Sequence, residues 1–296
     1  MQRILIIGAN SFIGTNFRKS SVCSEINEVS LLENRPEDIN FENVDVVLHL
    51  AALVHQSKKI KSEEYYSVNR DLPVKVAELA KHTGVKQFIF LSTVKVYGKY
   101  VRGSEPWNED SECHPDDAYG KSKYDAELGL RKLETPDFLV SIIRTPIVYG
   151  PGVMANILKL VKLVDRVPIL PFKSVNNNRH YTFVGNLVGF IDRIIENRAS
   201  GTFIAMDEVP LSTSSLVLSL STFLNRKVLL FRVPGFLLAA GIKLKPTIFD
   251  RLYGSFYLDN TKTKESLGFY PPFSSDEGLS VMISAYLKDR HNRDTN

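Results

Sequence analysis

Apolar and polar positions in the first half of the chain alternate between two patterns. Short contiguous apolar runs, RILIIG, EVSLL and VDVVLHLAA, are separated by stretches of helical spacing, one opening at Ser11 and one spanning 62–82. QFIFLS follows as the fifth predicted strand. A helix from Tyr119 comes next, then FLVSII over 138–143 as the sixth strand and GTFIAM over 201–206 as a seventh candidate. Continuous apolar runs, rather than alternating ones, are what a strand needs when both of its faces are covered. The strand–helix–strand rhythm therefore predicts an α/β fold, a doubly wound parallel sheet with helices on both faces. The rhythm breaks at TPIVYGPG, where Pro and Gly cluster. This divides the chain into a first lobe over 1–150 and a smaller second lobe over 151–296, with roughly 181–206 crossing back to the first sheet. The tail KDRHNRDTN is polar and expected to fray.

Composition narrows the function classes. A chain of 296 residues with 44% hydrophobic and 24% charged residues matches an ordinary soluble globular protein. A formal charge of +4, without a basic run interleaved with aromatics, gives no support for nucleic-acid binding. Cys23 and Cys113 stand alone, without metal-ligand spacing, so neither a disulfide framework nor a metal site is expected. The apolar stretch 236–242 is far short of the roughly 20 residues needed to cross a bilayer. The N-terminal run leads into Gly-Ala-Asn rather than a small-residue cleavage site. A cytoplasmic protein without a membrane partner is the expectation.

Gly8-Ala9-Asn10-Ser11-Phe12-Ile13-Gly14 directly follows the first strand and opens the first helix. In that context Gly8 permits the tight turn and Gly14 permits close helix–strand packing. Backbone N–H groups at the helix start then face a pyrophosphate, aided by the helix dipole. The run resembles the G-x-x-G-x-x-G turn of extended short-chain dehydrogenases, with Ser11 at the middle glycine. Since serine avoids positive φ, either the turn is adjusted or the hydroxyl meets phosphate. Glu33, at the end of the second predicted strand, suits the adenosine ribose and favours NAD, whereas Arg35 suits the 2′-phosphate of NADP. Asp38-Ile39 resembles the family's adenine-contacting pair, although an aspartate there also fits a solvated loop.

Tyr119-Gly120-Lys121-Ser122-Lys123 is a Y-x-x-x-K run whose spacing puts Tyr119 and Lys123 on one helical face. An ammonium beside a phenol favours the phenolate, so the Tyr119 pKa is expected to fall, making it a usable acid and base. The preceding strand ends Leu91-Ser92-Thr93-Val94-Lys95-Val96-Tyr97-Gly98, where an α/β sheet offers residues to its ligand crevice. That segment is similar to the S-S-x-x-V-Y-G run of UDP-galactose 4-epimerase relatives, within the NAD-dependent epimerase/dehydratase group of extended short-chain dehydrogenases. The resemblance implies a Rossmann-type fold and Thr93, Tyr119 and Lys123 as the catalytic group, with Lys123 also holding the nicotinamide ribose. It further implies a cofactor site that includes Gly8, Asn10, Ser11, Phe12, Ile13, Gly14, Glu33, Asp38, Ile39, Leu50, Ala51, Ala52, Asn69 and Pro146. Asn69 equally fits a capping or lining role on its helix, and Ala51 and Ala52 fit simple packing.

Arg144-Thr145-Pro146-Ile147-Val148-Tyr149-Gly150-Pro151-Gly152 looks like the family's R-x-x-x-V-Y-G-P turn. By the same resemblance Asn156 meets a nucleotide diphosphate, the edge strand carrying Phe172 meets the base, and Arg179 meets phosphate. Arg251 is a second phosphate candidate or a solvated helix-end residue. The implied substrate is a UDP-sugar. Val94 and Lys95 occupy the places of the Asp-Glu pair of 4,6-dehydratases, which disfavours dehydration. Ser92-Thr93-Val94-Lys95-Val96 and the run from Tyr149 to Asn156 look most like the enzymes that reduce a UDP-4-keto-6-deoxy-N-acetylhexosamine to UDP-N-acetylquinovosamine, so reduction ranks slightly ahead of 4-epimerisation, and a cofactor sensor without turnover ranks last. Relatives pair two outer helices into a four-helix bundle. Tyr65, Tyr66, Val68, Leu72, Val76 and Leu79 give the 62–82 helix apolar residues beyond one stripe, so a homodimer is expected.

Overall fold

The contiguous apolar runs form the interior of a parallel sheet. The structure, a computed structural model, describes residues 2–23, 25–32, 34–54, 60–99, 105–244, 249 and 252–294. Its strands are β1 (Arg3–Ile7), β2 (Glu25–Val29), β3 (Val46–His49), β4 (Gln87–Thr93), β5 (Leu139–Thr145), β6 (Ile147–Tyr149), β7 (Ile169–Leu170), β8 (Tyr181–Phe183), β9 (Gly201–Ile204) and β10 (Leu229–Leu230). Its helices are α1 (Phe12–Ser20), α2 (Ser62–Tyr66), α3 (Leu72–His82), α4 (Ala118–Arg131), α5 (Ala155–Arg166), α6 (Val184–Glu196), α7 (Thr213–Phe223), α8 (Gly235–Leu244), α9 (Thr261–Leu267) and α10 (Ser275–Asp294).

Six strands pair in the order β2-β1-β3-β4-β5-β9, every neighbour parallel. The sequence reading had numbered seven; QFIFLS, FLVSII and GTFIAM are the fourth, fifth and sixth strands of this sheet. Because β2 and β3 flank β1 on opposite sides, strand order reverses there. The ends of β1 and β3 therefore define the crevice where open α/β sheets bind ligands. One face of the sheet is covered by α1 and α6, with Phe17, Leu187 and Ile191 in its core. The other is covered by α3 and α4 through Val76, Ala80, Ala126 and Leu130. A further core is built around Ile157, Val161, Phe172, Leu216, Leu220 and Ile283, and two small parallel sheets, β6-β8 and β10-β7, stand apart from the six-stranded one.

Two elements differ from expectation. The second strand covers Glu25–Val29, not 28–32, because an edge strand extends as far as its single neighbour pairs with it, here Arg3↔Glu25 to Ile7↔Val29. Beyond it Ser30 turns the chain, its hydroxyl accepting from the Leu32 amide at 3.2 Å. The 62–82 helix is interrupted by a π-helical segment, Ser67–Asp71. Pro73, in the first turn of α3, has no N–H for the carbonyl four residues back, and a widened turn absorbs the defect. On the outer surface, Tyr65 and Val76 are buried inside the subunit, and Leu72 and Leu79 pack against its core. This leaves less surplus apolar surface than the sequence suggested. Among the described residues no helix is long and apolar enough to cross a membrane.

Candidate active site

The turn after β1 is built from backbone. Gly8 has φ +116°, and a Cβ there would lie 2.9 Å from the Ala51 nitrogen, so glycine lets this turn press against the loop after β3. The Gly8 and Ala9 amides both donate to the Val29 carbonyl, at 2.9 and 3.1 Å. The turn is indeed adjusted for serine: the left-handed position is Asn10 (φ 58°), and Ser11 is an extended N-cap (φ −67°) whose hydroxyl accepts from the Gly14 amide at 3.2 Å. The first-turn amides of Phe12 and Ile13 have no intrahelical partner, and no acidic residue stands in that turn. A floor of Gly8, Leu50 and Ala51 with free amides above it suits the pyrophosphate of a dinucleotide, and the Ser11 hydroxyl keeps its proton for an anion.

Asn69 is fully buried in the π segment. Its Oδ1 accepts from the Leu53 amide at 2.7 Å, and its Nδ2 donates to the Leu53 carbonyl at 3.0 Å and to Ser122 Oγ at 3.3 Å. It thus pins the Leu50-Ala51-Ala52-Leu53 loop to the catalytic helix. Of the residues expected to meet the adenosine, Asp38 is exposed, as is Arg35, while Ile39 is buried in the sheet's core. Glu33 lies outside the described residues.

The three catalytic candidates come together where β4 meets α4. Asp117 caps α4 by accepting from the Gly120 amide at 2.7 Å, which sets Tyr119 in the first turn. Tyr119 interacts with the side chain of Thr93, the last residue of β4. Lys123, buried one turn later, donates to the Leu91 carbonyl at 2.9 Å and lies 4.3 Å from the Phe90 ring centre. The expected fall in the Tyr119 pKa is not what the structure shows. Burial pushes the phenol up to about 12, against the opposing Thr93 hydrogen bond, because Lys123 is turned toward the strand carbonyl. Burial lowers Lys123 itself to about 7, offset in part by Glu127.

Several residues that sequence reasoning missed surround this trio. Glu127 is buried on α4 and forms a two-pronged ion pair with Arg144 of β5 (Nη2–Oε2 2.7 Å, Nε–Oε1 3.2 Å). Ser92, beside Thr93, donates to the same carboxylate at 2.5 Å, and Arg144 Nη1 reaches the Tyr97 hydroxyl at 3.0 Å. Gly98 ends that segment with φ +87°, so close to the His114 carbonyl that no Cβ fits. Lys95 pairs with Asp117 and lies 5.9 Å from the Tyr119 ring centre, and Tyr65 packs edge-on against Tyr119 at 6.3 Å. His49, at the end of β3, is buried against Phe88 and Phe90 without a well-formed hydrogen bond at either ring nitrogen. Burial first, then the Lys123 charge, lower its pKa to about 3. The N-cap spacing of Asp117 was readable in the sequence; the other contacts join distant segments.

At the substrate end, Arg179 is half-buried and donates from Nη1 to the Gly254 carbonyl at 2.9 Å. Its backbone bridges Leu211 and Phe256. Asn156 is exposed in the first turn of α5, and Pro146 is half-buried between β5 and β6. Phe172 differs from the expected base contact: its ring is buried in the second lobe's core against Tyr253, at 6.3 Å, which makes it a packing residue in this structure. Arg251 lies outside the described residues.

A parallel sheet with a glycine turn at its switch point and a Thr–Tyr–Lys group at the next strand's end is the arrangement of a dinucleotide-dependent oxidoreductase. A family profile described as "NAD dependent epimerase/dehydratase family" matches residues 4–204, and the chain belongs to that family. It is 34% identical to a UDP-glucose 4-epimerase from Vibrio cholerae, over 96% of this chain and 95% of that protein. It is 28% identical to an N-acetyl-alpha-D-glucosaminyl-diphospho-ditrans,octacis-undecaprenol 4-epimerase from Escherichia coli O157:H7, over 93% and 92% of the two chains. In fold it is similar to a dTDP-4-dehydrorhamnose reductase from Clostridium acetobutylicum, with a TM-score of 0.79 at 20% identity over 97% and 100% of the chains.

Proposed function

We propose that the protein is an NAD-dependent 4-epimerase of a UDP-activated hexose or N-acetylhexosamine, with Thr93, Tyr119 and Lys123 as its catalytic residues. The observation that carries the reading is that Tyr119, in the first turn of α4, interacts with Thr93 at the end of β4, with Lys123 buried one turn along the same helix. Both epimerisation and 4-keto reduction need this trio, and the resemblance of the 92–96 and 149–156 runs puts the 4-ketoreductase slightly ahead. Two 4-epimerases matched over nearly their whole length reverse that order. Dehydration remains disfavoured by Val94 and Lys95, which supply no acid–base pair.

On this reading Thr93 holds the C4 oxygen of the sugar beside Tyr119. When bound, the oxidised dinucleotide supplies a hydride acceptor and a positive charge near the phenol, which opposes the upward push of burial. Tyr119, as phenolate, takes the C4 hydroxyl proton as the C4 hydride leaves. It returns that proton to the carbonyl oxygen when the hydride comes back on the other face of the ketone. Lys123 orients the dinucleotide's ribose, and Arg179 meets the diphosphate with charge-assisted hydrogen bonds. The diphosphate is shared by nucleotide-linked and lipid-linked sugars, and the E. coli relative's name favours a polyprenyl-diphosphate sugar as a second substrate class.

The test is to incubate purified protein with UDP-glucose, UDP-N-acetylglucosamine and a UDP-4-keto-6-deoxy-N-acetylhexosamine, reading products by NMR and co-purifying nucleotide by mass spectrometry. Epimerised UDP-sugar without added cofactor, from protein holding NAD, is expected. Turnover of the keto-sugar alone, with stoichiometric consumption of added NADH or NADPH, would transfer the assignment to the reductase. The reading also comprises a first lobe over 1–150, a substrate lobe over 151–296 and a homodimer through α2, α3 and α4. Light scattering at micromolar concentration would reject the dimer if the active species were monomeric.

A further inference from the structure

The second lobe carries an apolar surface that neither the sheet nor the catalytic group uses. β7 and β10 pair as Leu229↔Ile169, and these two side chains are 64% and 53% exposed. Phe231, two residues on and therefore on the same face, is also exposed. The chain then enters α8, GFLLAAGIKL, whose Phe236 and Leu244 are 73% and 82% exposed. Isolated exposed apolar residues are ordinary, but a group rising from adjacent strands into the next helix marks an interaction surface.

Charge identifies the partner. Residues 209–249 contain Arg226, Lys227, Arg232, Lys243 and Lys245 and no Asp or Glu. Arg226 is paired with Asp165 at 2.9 Å, whereas Arg232, just before α8, and Lys243, in its last turn, are exposed among the apolar residues. An exposed apolar group whose stretch of chain carries cations and no carboxylate complements a surface that is anionic outside and apolar beneath.

We propose that these exposed apolar side chains, Phe236 and Leu244 foremost, dock the protein peripherally on an anionic phospholipid surface. The apolar side chains enter the headgroup–acyl boundary, and Arg232 and Lys243 meet lipid phosphates. The expectation of no membrane partner rested on span length alone, which peripheral docking does not require. The strand end is tied to the chain after β7, where the Lys173 amide donates to the Phe231 carbonyl at 3.1 Å. The proposal rests on the lipid-linked substrate class named above, and places the site where polyprenyl-diphosphate sugars are found.

The test is flotation of the full-length protein with vesicles of phosphatidylglycerol and phosphatidylcholine, against phosphatidylcholine alone, with no sugar present. Binding is expected only to the anionic vesicles and should weaken in high salt. Phe236→Asp should lower the bound fraction about tenfold, since one large apolar side chain no longer leaves water. Arg232→Glu/Lys243→Glu should abolish the preference for anionic lipid. Turnover of water-soluble UDP-sugar by both variants should match the wild type, which separates failure of docking from failure of the epimerase reading. The proposal is overturned if the wild type does not float, if both variants float like it, or if light scattering shows a dimer that Phe236→Asp dissociates, which would assign the face to a second copy of the chain.

Discussion

Lys123 and Glu127 stand one turn apart on the same face of α4, and both are buried. Glu127 is saturated: Arg144, Ser92 and Arg131 all donate to its carboxylate. Lys123 has a single carbonyl, Leu91, and burial lowers its pKa to about 7. Nearby His49 is likewise buried without a well-formed hydrogen bond. The difference teaches how one helix can serve two ends. Its middle is bolted to β4 and β5 by a neutralised ion pair. Its first turns hold under-satisfied polar groups that a ligand can complete, the kind of strained polarity that gathers at functional sites.

The largest expected effect breaks the catalytic end. Tyr119→Phe removes only the transferable proton and should reduce turnover by about 10²–10⁴-fold, with cofactor affinity nearly intact in a binding titration. Next comes the braced end: Glu127→Leu leaves Arg144 buried and unpaired, and urea unfolding should show a loss of about 3–5 kcal/mol. The double variant Glu127→Leu/Arg144→Met should be more stable than that single variant. Equal stabilities would mean that the pair is not a bolt. Arg179→Ala should weaken UDP-sugar binding by about 1.5–3 kcal/mol and leave NAD(H) binding unchanged; calorimetry showing equal losses for both ligands would indicate a general folding defect.

The smallest effect sharpens the comparison through pH. The folded Lys123 pKa, about 7, lies below its ordinary value of 10.5, so between those limits the unfolded chain binds a proton that the native chain does not. This group's contribution therefore makes stability rise with pH across that window and is constant below it. Lys123→Met should flatten that rise and raise the thermal midpoint of the ligand-free protein at pH 7. An unchanged slope between pH 7 and 10 would show that Lys123 is not the strained group.

Local signals were legible in the sequence. The Gly8 turn, the run ending at Thr93 and the Tyr119–Lys123 spacing each depend on a few consecutive residues, and the doubly wound sheet followed from contiguous apolar runs. Contacts between distant segments were not. Nothing in the separation of Glu127 from Arg144 announces their ion pair, and the direction of the Tyr119 shift depended on which way the Lys123 side chain turned. Phe172 was assigned by resemblance to an edge strand of relatives, which does not say which way the ring points. Pro73 carried a readable warning that the 62–82 helix could not run unbroken.

The central claim is that Thr93, Tyr119 and Lys123 move hydride away from and back to one sugar carbon. Incubation of the holoenzyme with the UDP-hexose that it turns over, deuterated at C4, followed by NMR of the product, tests this most directly. The account predicts a 4-epimer that retains deuterium at C4, formed by the wild type and not by Tyr119→Phe. Product that has lost the deuterium to solvent, or unchanged turnover by Tyr119→Phe, would contradict it.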